Sequence, residues 1–246
     1  MWTLIQAHRG ASGYAPENTL AAFKMAVEMG ADGIELDVHF TKDRVVVVTH
    51  DDNVFRVSGC NALVNDLTLE ELKKLDFSNH MAGFAGEKIP TLEEVLQLIK
   101  PTNLFINIEL KTNHENPNGL EEATQALVEK YGMQDRILYS SFNHYSLAHM
   151  KEIAPKMPCG ALYSAKPYRP WDYARSMGIE CVHPKFGSVN TPDYLKDCHE
   201  AGIKCNVWTP NTRADFEWLL NLGVDGIITN YPDHAIAARA QLQKKD

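Results

Sequence analysis

Gly30-Ala31-Asp32-Gly33-Ile34-Glu35-Leu36-Asp37-Val38-His39-Phe40-Thr41-Lys42-Asp43-Arg44-Val45-Val46-Val47-Val48-Thr49-His50-Asp51-Asp52 is the stretch that decides how this chain folds. Its first half alternates. Ile34, Leu36 and Val38 face one way and Glu35, Asp37 and His39 the other, as successive side chains of a strand must. Carboxylates at i and i+2 stand roughly 6–7 Å apart along a strand, close enough to share a cation. A second apolar run, Val45 to Val48, follows Thr41-Lys42-Asp43-Arg44 and leads to His50. A link this short cannot make the crossover of a parallel pair, so the two runs are expected to form an antiparallel hairpin. With Lys42-Asp43 at the turn, residue 50 is expected opposite residue 35. One short piece of chain then brings two carboxylates and a histidine to one place.

Outward from this hairpin, strand patterns lie at 3–7, 33–38, 104–110, 137–141, 159–163, 180–183, 203–208 and 226–229. Helix patterns separate them. Asn18-Thr19 opens the first, Leu20, Phe23 and Val27 form its apolar face, and Gly30 closes it at C′. Thr91-Leu92-Glu93-Glu94 is a capping-box pattern for a helix to about Ile99. Others are expected near 119–131, 143–154, 170–177, 191–201 and 212–222. With the 45–49 run set aside as a hairpin partner, eight strands alternate with helices. That count predicts an α/β fold, a (β/α)₈ TIM barrel. Residues 51–90 are rich in Gly, Asn and Asp and carry one short helix pattern, Leu69 to Leu75. They are expected to form a small insertion after strand 2, capping one end of a single domain spanning 1–246. Among its apolar residues, Val54, Phe55, Val57, Leu63, Val64, Phe77, Met81 and Phe84 could form a lid, although an internal core for the insertion is the better expectation.

The chain has 246 residues, 44% of them hydrophobic, enough for a full core. A net charge of −8 argues against nucleic acid and against anionic membrane as partners. No apolar run approaches the ~20 residues of a membrane span, so no stable membrane anchoring is expected. The first residues carry no basic region of a signal peptide, and a cytoplasmic protein is expected. Five scattered cysteines without a CxxC fit free buried thiols better than disulfides or a zinc site.

A barrel presents its reactive groups at the C-terminal strand ends. There the sequence places His8 and Arg9, Glu35 and Asp37, Asn107, Glu109 and Lys111, Ser140 to Phe142, His183 to Lys185, Asn206 to Trp208, and Thr229-Asn230. Glu35, Asp37 and Glu109 converge from adjacent strands and would repel one another without a cation. All-oxygen ligation points to one hard divalent ion, Mg²⁺ or Ca²⁺, rather than zinc. A competing structural reading pairs the acids with Arg9 and Lys111, but two cations match three acids poorly. His8 and His50 suit a general acid and a general base. His39 lies nearer the turn and is set aside. Arg9 and Lys111 suit an anionic ligand. Three carboxylates with one divalent ion, one Arg and one Lys leave a single positive charge, which a phosphodiester would match.

The same residues carry a family resemblance. His8-Arg9-Gly10, Ala15-Pro16-Glu17-Asn18-Thr19, Gly30 to Val38, Thr41-Lys42-Asp43, His50-Asp51, Ile108-Glu109-Leu110-Lys111, Ser141-Phe142, Trp208-Thr209 and Gly223 to Asn230 resemble the bacterial cytosolic glycerophosphodiester phosphodiesterases. The resemblance covers essentially the whole chain in order, insertion included. It implies a metal-dependent hydrolase that cuts small-molecule glycerophosphodiesters into glycerol 3-phosphate and an alcohol. Glu35, Asp37 and Glu109 would hold the metal, and His8 and His50 would be the acid/base pair. Arg9 and Lys111 would contact phosphate, Glu17 and Asn18 would support that site, and Trp208 would be a wall for the glycerol or its substituent. Asn230 stands where relatives often have Asp. Attack by the glycerol 2-hydroxyl, through a cyclic phosphate, and direct attack by water are both compatible with these residues, as are both assignments of the two histidines. Two alternatives stand beside this reading: lysophospholipase D-like cleavage of lysophospholipids, and a barrel that binds metal or phosphodiester without catalysis.

Overall fold

The structure, a computed structural model, describes residues 2–112 and 118–243. The chain runs β1 (Leu4–His8), α1 (Leu20–Glu28), β2 (Gly33–Phe40), β3 (Val46–Val48), α2 (Phe55–Ser58), α3 (Leu69–Lys74), α4 (Leu92–Ile99), β4 (Phe105–Leu110), α5 (Leu120–Tyr131) and β5 (Ile137–Ser141). It continues through α6 (His144–Ile153), β6 (Cys159–Tyr163), α7 (Pro170–Ser176), β7 (Cys181–Pro184), α8 (Tyr194–Glu200), β8 (Lys204–Trp208), α9 (Arg213–Leu222), β9 (Gly226–Thr229) and α10 (Pro232–Gln243). The sheet order β1-β9-β8-β7-β6-β5-β4-β2 closes on itself through β1–β2, and every one of these pairs is parallel. This is the eight-stranded TIM barrel the alternating pattern predicts. β3 stands outside it, antiparallel on the far end of β2.

The hairpin forms, but its register differs by one residue from the expected one. Val38 faces Val48 and His39 faces Val47. The cause is Arg44, which is left-handed at φ 65°. Arg44 N–H donates to Thr41 O and Thr41 N–H to Val45 O, both at 3.0 Å, so the loop holds three residues instead of two. Continued to residue 50, this ladder would put His50 opposite Leu36, on the apolar face. The ladder ends first. Thr49 N–H donates to Asp37 O at 3.0 Å, and the chain then bends. The bend, not the pairing, carries His50 over the barrel.

Helix ends follow the local sequence. Thr19 caps α1, and Gly30 follows its end at φ 75°. Thr91 and Glu94 form the reciprocal capping box of α4. α10 lies beyond every helix the sequence pattern predicted, because Pro232 to Gln243 has no continuous apolar stripe. It is held instead by the small buried Ala235 and Ala238, and by Arg239, whose Nη1 donates to Thr3 O at 2.7 Å and Asp32 Oδ2 at 2.5 Å.

Val54, Val57, Val64, Leu72, Phe77 and Ile89 of the 51–90 stretch form a second apolar cluster with Val47. Phe55 is left 60% exposed and Leu63 is also on the surface. All five cysteines are free, and four are buried.

The barrel interior carries buried polar groups below the site. Ser140 Oγ donates to Asn107 Oδ1 at 2.9 Å, Asn107 Nδ2 to Gln6 Oε1 at 3.3 Å, and Asn206 Nδ2 to His183 Nε2 at 2.9 Å. Gly160 makes room for the His183 ring: a Cβ there would overlap the ring at Nε2. His183 is fully buried and cannot swing away. Gly160→Ala is therefore expected to cost about 1–3 kcal/mol, lowering the midpoint of thermal unfolding by about 2–12 °C. A calorimetric midpoint equal to wild type would show that the ring has room to move.

Candidate active site

β1 ends in His8, and the next two residues are left-handed, Arg9 at φ 56° and Gly10 at φ 78°. That turn points the Arg9 N–H inward, where it donates to Glu35 Oε2 at 2.9 Å. Asn18, at φ 57°, closes the loop by donating its N–H to Arg9 O at 2.9 Å. Its Nδ2 donates to Asp37 Oδ2 at 2.8 Å. The parallel register sets Asp37 beside Glu109 on the neighbouring strand. One carboxylate oxygen from each of Glu35, Asp37 and Glu109 lies within 4.8 Å of the others, and all three residues are buried.

Two cations answer these three acids. Lys111 Nζ stands 2.5 Å from Glu109 Oε1 and 3.0 Å from Asp37 Oδ1. Arg9 Nε is 3.5 Å from Asp37 Oδ2, and its Nη1 donates to Glu17 Oε1 at 2.9 Å. The salt-bridge reading is thus realised for Asp37 and Glu109 but not for Glu35. Among the described residues, the titratable side-chain nitrogen within ion-pair distance of Glu35 is His8 Nε2, at 4.0 Å.

The charge balance appears in the acidities. Burial tends to raise the Asp37 carboxyl, but Lys111 and Arg9 outweigh it and hold the group well below the usual carboxylate range. Burial, then Asp37 and Glu109, push Glu35 well above that range. Burial pushes Glu109 up to about 7 despite Lys111, with Asp37 adding to the rise. A buried acidic cluster short of positive charge, built only of oxygen donors, fits one hard divalent cation.

His8 and His50 both border a cavity of about 50 Å³, together with Arg9, Glu35, Asn107, Glu109, Ser140, Phe142, Leu162, Trp208 and Ile228. His8 Nδ1 is 2.7 Å from Asn230 Oδ1, and burial, then Arg9, bring its pKa down to about 3. His50 Nδ1 is 2.6 Å from Asp51 Oδ1. Burial, reinforced by Lys111 and Arg9 and opposed by Asp37, lowers the His50 pKa as well. Both shifts favour the neutral imidazole, and in both rings Nδ1 is the engaged nitrogen. Trp208 donates Nε1–H to His183 O at 2.8 Å and packs edge-on against Phe142, ring centres 5.5 Å apart.

All ten residues singled out from the sequence thus fall in or beside one site, with Glu17 and Asn18 held through Arg9 and Asp37. Sequence reading passed over three neighbours. His39, set aside as too near the turn, has Nε2 3.1 Å from His50 O. Asp51, the neighbour of His50 in the His50-Asp51 motif, has Oδ1 2.6 Å from His50 Nδ1. Arg56 lies in the insertion, on a helix of four residues, and no periodicity there could have marked it.

The glycerophosphoryl diester phosphodiesterase family matches residues 8–234. A glycerophosphodiester phosphodiesterase of Caldanaerobacter subterraneus subsp. tengcongensis is 44% identical, over 96% of this chain and 97% of that one. Among solved structures, an Oleispira antarctica phosphodiesterase in complex with the product sn-glycerol-3-phosphate is similar at a TM-score of 0.88 and 32% identity, over 96% of each chain. The glycerophosphodiester phosphodiesterase from Agrobacterium tumefaciens is similar at 0.85 and 27%, over 96% of this chain and all of that one. With the barrel, the acidic cluster and the two histidines found together, the match over nearly the whole length is decisive, and the chain belongs to the glycerophosphoryl diester phosphodiesterase family.

Proposed function

We propose that this protein hydrolyses glycerophosphodiesters to glycerol 3-phosphate and an alcohol, with His8 and His50 as the proton-transfer pair beside a divalent cation. The observation that carries the reading is the placement of two imidazoles on one small cavity with Glu35 and Glu109 of the buried acidic cluster. Relatives that bear the activity in their names, and the product complex of a similar phosphodiesterase, support it.

Glu35, Asp37 and Glu109 would hold the ion, Mg²⁺ or Ca²⁺. When bound it would neutralise charge developing on the phosphoryl oxygens and acidify a bound hydroxyl. Arg9 and Lys111 are the cationic side chains of the site and would orient the phosphodiester anion. One imidazole takes the proton of the attacking hydroxyl, from glycerol or from water. The other, loaded with a proton in the field of the bound anion, gives it to the departing alcohol oxygen. Trp208 and Phe142 supply an apolar wall for carbon atoms of the substrate.

The test is release of glycerol 3-phosphate from glycerophosphoethanolamine and from lysophosphatidylethanolamine in parallel, with Mg²⁺, Ca²⁺ or EDTA. Metal-dependent turnover of the soluble diester, at least about tenfold faster than the lysolipid, is expected. Faster lysolipid cleavage would move the assignment to a lysophospholipase D. Absence of turnover with the ion demonstrably bound would leave a binding module.

A further inference from the structure

His50 is the acid/base candidate with the least secondary structure around it. It follows the end of β3 in a bend, with no ladder partner. Something other than the sheet must fix its ring. Asp51 Oδ1 is 2.6 Å from His50 Nδ1, but Asp51 is itself a half-exposed residue of the same bend. Its second oxygen accepts Arg56 Nε–H at 2.6 Å. The rest of that guanidinium is used as well. Nη1 and Nη2 donate to Glu17 Oε2 and Oε1, each at 2.8 Å. Glu17 then holds Arg9 Nη1, and Arg9 Nε faces Asp37.

Arg56 therefore joins two pieces of chain that no strand pairing joins, the bend carrying His50 and the loop after β1 carrying Glu17 and Arg9. Arginine is suited to this because its planar fork bonds one carboxylate bidentately while Nε serves a second. Stability alone is a weak reason to keep it. The Arg56 side chain is 42% exposed, and exposed ion pairs contribute little to folding.

We propose that Arg56 is a positioning residue for His50: it clamps Asp51 against Glu17, so that the imidazole Nδ1 is held and Nε2 is aimed into the cavity. The 51–90 insertion thereby supplies part of the active-site geometry. The role of His50 in proton transfer rests on the proposed function above; the tie itself does not.

The test uses the full-length protein and two readouts. The first is the His50 Nδ1–H resonance in nitrogen-correlated NMR of the imidazoles, assigned by its loss in His50→Gln. Wild type is expected to show this proton protected by Asp51, and Arg56→Ala to lose it to exchange with water. The second is glycerol 3-phosphate release from glycerophosphoethanolamine with the activating cation. Arg56→Ala is expected to lower kcat about 10- to 100-fold with KM changed less than about threefold. Arg56→Lys, which cannot reach all three oxygens, is expected to recover kcat only in part. An Asp51→Ala/Arg56→Ala double variant should be no slower than Asp51→Ala. An Arg56→Ala protein with an unchanged resonance, or with kcat within twofold of wild type, overturns the proposal. Were that variant unfolded by circular dichroism, Arg56→Lys would decide by the same two criteria. Wild-type protein inactive on the diester, yet losing the resonance in Arg56→Ala, would refute the reaction and uphold the tie.

Discussion

Glu35→Gln is expected to abolish function and stabilise the metal-free protein at once. Activity should fall about 10³-fold, the scale of losing a principal electrostatic element of a catalytic site. In EDTA the same variant should unfold at a higher temperature than wild type. Glu35 is buried, accepts the backbone N–H of Arg9, and among the described residues has no Lys or Arg side chain within ion-pair distance, because Lys111 and Arg9 are directed to Asp37, Glu109 and Glu17. Glutamine keeps an oxygen for the Arg9 N–H and removes the uncompensated charge. A gain on the order of 1–2 kcal/mol follows from relieving a buried unpaired charge, or about 2–8 °C in midpoint. Divalent cation should reverse the order. At a hundred times its Kd an ion adds about 2.7 kcal/mol to wild type and should add little to the variant. Calorimetry of both proteins in EDTA, Mg²⁺ and Ca²⁺ checks this. A variant less stable than wild type in EDTA would mean that Glu35 belongs to the fold's ion-pair network and not to a cation site.

The histidines should separate from the acids in the same experiments. His8→Gln and His50→Gln are each expected to lower kcat about 10²- to 10⁴-fold, the range for loss of a general acid or base. Neither ring is among the three carboxylate donors, so both variants should keep the rise in unfolding temperature on adding the cation. His8 is tied through Nδ1 to Asn230 and His50 to Asp51, and the contact either ring makes with the cluster is the 4.0 Å approach of His8 Nε2 to Glu35, which a glutamine amide can take over without removing an acid. Loss of the cation-induced shift in either variant would assign that histidine to the metal instead. Activity within tenfold of wild type would remove it from the proton-transfer pair.

Much of this was legible in the chain because its causes are local and periodic. Alternation along 33–40 put Glu35, Asp37 and His39 on one face, whatever the strand came to pack against. Thr19, Thr91 and Gly30 marked helix ends through backbone groups only a few residues away. The repeated pattern of eight strands and helices fitted a closed parallel barrel, and the barrel brought strand ends together, Glu109 and Lys111 included. α10 escaped because shape, through buried Ala235 and Ala238, holds it in place of an apolar stripe.

What tertiary structure alone decided is how the charged groups are shared. Arg9 and Lys111 were visible as two cations among three acids, but which acid goes without was not. That choice depends on Arg9 being left-handed and on the reach of Lys111 to Asp37 and Glu109 together. His50 reached the site through a bend after a register shifted by Arg44, a backbone conformation that side-chain pattern does not encode. Arg56 met Glu17 across 39 residues of sequence because the insertion folds back over the β1 loop. Side-chain periodicity fixes which face a residue takes within an element. Ion pairs between elements depend on loop conformation and on distances across the fold, and these exist only once the barrel has closed.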